Sequence, residues 1–101
     1  MYIYLMRSEE TGTYKIGKSK NPEKRLKQLQ TGSSEKLELI LKFNTKYPSL
    51  VESAMHNRFS HLKKHGEWFD LSLSEETSFI NECKKIEENI RVLKKLGNVF
   101  I

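Results

Sequence analysis

Two short runs of alternating apolar and polar residues open the chain, and they restrict its fold more than any other feature. MYIYLM and TYKIGKS are joined by the turn-forming stretch RSEETG. Side chains alternate across a strand, so the pair reads as an antiparallel hairpin. Ile3 and Leu5 share one side of the first run, with Tyr2, Tyr4 and Met6 on the other. Tyr14 and Ile16 share one side of the second, with Thr13, Lys15 and Gly17 opposite. If Ile3, Leu5, Tyr14 and Ile16 face a core, Tyr4 and Lys15 share the other face, beside a glycine that admits close approach of another backbone.

The remaining elements follow in order. Asn21-Pro22-Glu23 has the signature of a helix start, with Asn as cap, Pro in the first turn and Glu at the positive end of the dipole. Leu26 and Leu29 face inward, and Thr31-Gly32 ends the helix. Leu37, Leu39, Leu41 and Phe43 alternate with Lys36, Glu38, Ile40 and Lys42, which predicts a third strand with one buried face. Ser49 opens a second helix with Leu50, Ala54, Met55, Phe59 and Leu62 as its apolar stripe, stopped by His65-Gly66. Glu67 to Leu71 is a short extended segment that packs Trp68 and Phe69 on the core. Ser72 starts a last helix, which Gly97 stops. On it Phe79, Cys83, Ile86, Ile90 and Leu93 recur at spacings of four and three. That seam suits packing within the chain, or a homodimer through the C-terminal helix.

A chain of 101 residues suits one domain with a modest core. No run approaches the ~20 apolar residues of a membrane span, and the first residues lack the pattern of a signal peptide. The single cysteine, Cys83, excludes an intramolecular disulfide and a cysteine-based zinc site, which points to a reducing, cytoplasmic setting. The net charge of +5 resides in residues 1–71, because residues 72–101 are balanced. It is concentrated where Lys15, Lys18, Lys20, Lys24, Arg25 and Lys27 stand against the single acid Glu23. A polyanion is the natural partner of such a stretch, although a solvated basic surface has the same composition.

Gly12 to Ser19 satisfies the phosphate-loop pattern G-x-x-x-x-G-K-[ST], yet its context rejects that function. Thr13, Tyr14, Lys15 and Ile16 prefer a strand to a phosphate-cradling loop, and Pro22 delays the helix that should begin at the GKS. No later strand ends in a magnesium-binding Asp. His61 and His65 have helical i,i+4 spacing but no third ligand, so zinc is not expected.

Four residues have the right chemistry for a phosphodiester. Tyr4 and Lys15, on one sheet face, could orient or deprotonate a water. Arg25 is a forked cation that grips phosphate oxygens. Glu52 is a hard oxygen ligand for one divalent ion. Each also has a plainer explanation. Tyr4 suits a strand, Arg25 suits a solvated helix, and Glu52 stands three residues after Ser49, the spacing of a capping box. His56 lies one turn beyond Glu52, as a supporting partner or as a surface histidine.

In order and spacing these residues resemble the GIY-YIG nuclease superfamily. Tyr2-Ile3-Tyr4 is similar to its GIY element and Lys15-Ile16-Gly17 to its YIG element. Lys18 to Asn21 lead on to Arg25, and Glu52 matches the metal-binding glutamate. YKIGKS and the GEWF of Gly66 to Phe69 resemble the phage branch called the T5 orf-172 DNA-binding domain, over about residues 1–71. The resemblance implies an α/β (α+β) fold with a central three-stranded antiparallel sheet flanked by helices. Residues 1–71 would form the nuclease or DNA-binding domain, with the helix of 72–101 packed upon it.

It further implies one-metal hydrolysis of DNA, with Mg²⁺ or Mn²⁺ on Glu52. Tyr4 would help activate water and Arg25 would bind the scissile phosphate. Lys18, Lys20, Lys24, Arg25, Lys27 and Arg58 would contact DNA, and Tyr14 and His56 would support the site. Three positions depart from the pattern. Tyr2 replaces the first glycine, Lys15 replaces the second tyrosine, and Leu29 stands where His or Tyr is frequent. Those departures keep two other functions open: a DNA-binding module of the same fold without catalysis, and an interaction protein acting through the Phe79 to Leu93 seam.

Overall fold

The computed structural model describes residues 1–97, so the last four residues of the 72–101 segment lie outside the described residues. β1 (Tyr2–Ser8) and β2 (Tyr14–Ser19) form the expected antiparallel hairpin, in a register that sets Tyr4 opposite Gly17 and Leu5 opposite Ile16. α1 (Pro22–Thr31) follows, then β3 (Leu37–Asn44), α2 (Pro48–Arg58), a 3-10 turn (Ser60–Leu62), β4 (Lys63–His65), β5 (Trp68–Phe69) and α3 (Leu73–Lys95). The sheet has five strands in the order β3-β1-β2-β5-β4, not three. The two extra strands are too short to carry a recognisable alternation. They exist because β5 pairs Tyr14 with Phe69 and Lys15 with Trp68, and β4 folds back on β5.

Ile3, Leu5, Tyr14 and Ile16 face the main core, as expected. There they meet Val51 and Met55 of α2 and Phe79, Cys83 and Ile90 of α3. Tyr4 and Met6 are buried on the opposite face, so β1 is covered on both sides. β3 divides its side chains between the two faces. A bulge between Leu5 and Met6 sets Leu41 opposite Leu5 but Leu39 opposite Met6. Leu41 and Phe43 therefore join the main core, whereas Leu37 and Leu39 lie on the Tyr4 face. The regular alternation from Leu37 to Phe43 concealed this, because an inserted residue reverses the side on which each later residue falls.

The helix ends follow local chemistry. Asn21 caps α1 by accepting the Lys24 amide at 3.1 Å. Ser72 and Glu75 form a full capping box on α3. α2 starts at Pro48 and ends at Arg58, well before His65. The chain then turns through Ser60–Leu62 into β4. α3 is fastened to β2 by the Tyr14 hydroxyl, which donates to Glu76 at 2.6 Å, and to α2 by Arg58 and Glu82 at 3.0 Å. Phe79, Cys83 and Ile90 are thus committed inside the chain, and of the seam named above Leu93 alone is exposed. This packing lends no support to a dimer through α3. Burial also pushes the Cys83 thiol up to about 12. Among the described residues no helix is long and apolar enough to cross a membrane.

Burial, reinforced by the Glu76 carboxylate, pushes the Tyr14 phenol from 10.0 up to about 12. The folded chain therefore holds this proton at a pH where the unfolded chain has lost it. Its stabilising contribution is complete below pH 10 and is lost as pH rises towards 12. Tyr14→Phe is expected to be about 1.5–3 kcal/mol less stable than the parent below pH 10. Urea unfolding should show that gap closing between pH 10 and about 12; a gap independent of pH would refute the assignment.

Candidate functional site

The site gathers where β2 outruns its short neighbour. β5 pairs only with Tyr14 and Lys15, so the next peptide of β2 needs other partners. The Ile16 amide donates to the Glu67 carbonyl at 3.1 Å, and the Ile16 carbonyl accepts from His56 Nε2 at 2.8 Å. A carbonyl only accepts, so Nε2 carries a proton and Nδ1 is the nitrogen left with a lone pair when the ring is neutral. The imidazole is half-buried and stands edge-on to Phe69, with centroids 5.0 Å apart. His56 is therefore neither a surface histidine nor free to turn.

The tight turn between β4 and β5 delivers Glu67. Gly66 takes a positive φ of 55°, a conformation glycine adopts without steric cost. Glu52 comes from the first half of α2. The capping-box explanation for it fails, because α2 begins at Pro48 without a side-chain cap and Ser49 Oγ accepts from Lys18 Nζ at 2.9 Å instead. One donor atom from each of Glu52, His56 and Glu67 lies within 4.8 Å of the others. Sequence reasoning missed Glu67. The available signal was an acid placed directly after a turn glycine, in the same GEWF segment used for the resemblance.

Lys15 Nζ sits 2.9 Å from Glu67 Oε1 and 5.8 Å from the centre of the Trp68 ring. Lys18 Nζ is 3.9 Å from Glu52 Oε1. Burial, followed by the charge of Glu67, raises the Glu52 carboxyl above its ordinary 4.5, while Lys18, His56 and Lys15 pull it back. Tyr4 reaches this edge by crossing over Gly17, where an added Cβ would collide with the phenol ring. Gly17 thus makes room for a ring rather than for a second backbone. Burial raises the Tyr4 phenol above its ordinary value, and the neighbouring Arg25 guanidinium pulls the other way.

Tyr4, Lys15, Lys18, Arg25, Glu52 and His56 are therefore brought together with Glu67. Two expected residues lie elsewhere. Tyr14 points into the main core and is held by Glu76, so it does not support the site. Arg58 is engaged with Glu82 of α3. Lys20, Lys24 and Lys27 are exposed on and before α1, and among the described residues none of them forms an ion pair. Leu29 lies half-buried one turn beyond Arg25, towards Trp68.

The family model of the T5orf172 domain matches residues 1–91, nearly the whole chain and most of α3. The chain belongs to the T5orf172 domain family. No curated protein and no solved structure gives a significant match. In this T5orf172 domain the match extends past Leu71, and the last helix belongs to the same matched unit as the hairpin.

The raised Glu52 carboxyl has a consequence for stability. The folded chain keeps that proton at a pH where the unfolded chain releases it, so stability falls as pH rises from 4.5 through the folded value. Glu52→Gln should have a higher urea midpoint than the parent at pH 7, with the advantage vanishing below pH 4.5. A variant less stable than the parent at pH 7 would show that the carboxylate is relieved by its cations.

Proposed function

We propose that this T5orf172 domain is a divalent-metal-dependent DNA endonuclease that hydrolyses a phosphodiester bond in the GIY-YIG manner. The observation that carries this reading is the convergence of Glu52, His56 and Glu67 within 4.8 Å, beside Tyr4 and Arg25. Family membership supports a nuclease-like or DNA-binding role at the coarser level.

Two carboxylates and one imidazole fit a divalent ion, Mg²⁺ or Mn²⁺, with the imidazole favouring Mn²⁺. Glu52 would hold it, with Glu67 and Nδ1 of His56 as further donors. When bound, such an ion polarises the phosphate and stabilises the leaving oxygen. Arg25 binds the non-bridging phosphate oxygens beside the Tyr4 hydroxyl. Tyr4, whose phenol burial raises above its ordinary value, orients the attacking water through hydrogen bonding. Lys15 holds the Glu67 carboxylate in place. Lys18, Lys20, Lys24 and Lys27 supply the positive surface along which the strand lies.

The same Lys15–Glu67 contact favours a second reading, a DNA-binding module without catalysis. An ammonium already standing on that carboxylate supplies part of the positive charge that an ion would bring. The two readings separate in one assay on supercoiled plasmid in Mg²⁺, Mn²⁺ and EDTA. An endonuclease cuts only with metal, Glu52→Ala loses cutting with its circular dichroism unchanged, and Arg25→Ala loses about 3–4 kcal/mol of transition-state stabilisation, a rate drop of about 10²–10³. Full activity in Glu52→Ala would sink the proposal. No cutting under any metal, with binding that weakens at a log–log salt slope near −0.9 per phosphate, would establish the second reading.

A further inference from the structure

On the Tyr4 face of the sheet, beyond Lys15, lies a pocket of about 340 Å³ whose walls include Thr13, Leu29, Glu35, Leu37, His65 and Trp68. We propose that it receives one unstacked nucleobase of the bound DNA, and that it favours a base carrying an exocyclic amine. The inference rests on the DNA-acting reading above and adds a subsite to it.

The pocket continues the site. Lys15 pairs with Trp68 across β2 and β5, and Trp68 pairs with His65 across β5 and β4, so these side chains share one face of the sheet. A strand held at Arg25, one turn before Leu29 of the pocket wall, is therefore next to this opening. Its volume is at the lower end of small-molecule sites, ~300 Å³, which suits a single heterocycle. Trp68 is half-buried and lines the pocket, together with the apolar Leu29 and Leu37. An indole is a stacking platform for any base, and enzymes that act on nucleic acids commonly use such platforms to hold a base out of the stack.

Glu35 is the polar group that discriminates. Its Oε2 accepts the Ser8 hydroxyl at 2.8 Å, and among the described residues Oε1 has no hydrogen-bond partner. A carboxylate oxygen only accepts, so it pairs with the exocyclic amine of cytosine, adenine or guanine, whereas thymine offers it only an N3–H flanked by two carbonyl oxygens. His65, on the exposed edge strand β4, completes the wall beside Trp68.

Trp68 is the only tryptophan in the chain, so all tryptophan emission arises at this wall, and the abasic strand controls for changes at the Lys15 ammonium beside the ring. The test titrates the intact protein with short labelled single strands of dC, of dA, of dT and of abasic sugar-phosphate of equal length. Anisotropy gives binding and tryptophan emission gives stacking. The expected result is quenching by dC and dA, less by dT, and none by the abasic strand at equal occupancy. Trp68→Ala should bind dC about tenfold more weakly and leave the abasic affinity unchanged, with Trp68→Phe restoring most of the loss. Glu35→Gln should remove the preference for dC over dT. Strands that bind with Trp68 emission unchanged, or equal quenching by the abasic strand, overturn the pocket and leave DNA binding standing. If no strand binds at all, the DNA-acting reading falls, and the pocket with it.

Discussion

One residue of β2, Ile16, organises the site through its backbone. Because β5 is two residues long, the Ile16 amide and carbonyl would otherwise be left at an unpaired sheet edge. Buried backbone groups must find partners, and this residue finds them in the Glu67 carbonyl and the His56 ring. The same two bonds that complete the sheet bring a carboxylate from one segment and an imidazole from another to one place. Glu52 then arrives with His56, one helical turn away on α2. The functional cluster is thus a by-product of satisfying the backbone of a central strand. Changes that disturb the Glu67 segment would disturb fold and site together.

The second constraint is that β1 is buried on both faces. Ile3 and Leu5 serve the core beneath α2 and α3, while Tyr4 and Met6 serve the layer that includes Leu37 and Leu39. A phenol in that second layer would stay hidden behind its strand partner if the partner had a Cβ. Gly17 has none, so the ring passes over β2 and brings its hydroxyl to the edge where Glu52 and Glu67 exert their charge on it. Tyr4 is consequently a core residue by its ring and a site residue by its oxygen. That dual role explains why burial raises its pKa while Arg25 works against the shift.

How much of this was legible depends on the range of the interaction. The hairpin, its inward residues, the Asn21 and Ser72 caps and the basic run before and along α1 are local patterns, and each stands where the residues alone place it. Tyr4, Lys15, Arg25 and Glu52 were recognisable from order and spacing, and the fold does bring them together. The rest was written in non-local pairing. β4 and β5 are three and two residues long, below the length at which alternation carries a signal, and only contact with β2 makes them strands. The bulge at Leu5 and Met6 reassigns Leu37 and Leu39 although their spacing never changes. Glu67 is one acid among many until the Gly66 turn aims it. Tyr14 and Arg58 were credited to the site through the resemblance, whereas Glu76 and Glu82, far along the chain, hold them elsewhere.

The electrostatics of the cluster turn on Lys15. Glu52 and Glu67 are close enough for the charge of one to raise the carboxyl of the other. Two carboxylates so placed need a cation between or beside them, and the chain provides Lys18 at 3.9 Å from the first and Lys15 at 2.9 Å from the second. With Arg25 the five side chains carry one positive charge in excess, which is the charge of one phosphodiester with its sign reversed. That balance suits the phosphate of the proposed DNA substrate. A divalent ion entering beside Glu67 must compete with an ammonium that the fold already holds there, against the Trp68 ring. A tyrosine at the same position would leave Glu67 unneutralised and the demand for an ion larger. In the proposed endonuclease Lys15 would set how strongly the site calls for metal, and it is the residue at which the two proposed readings separate.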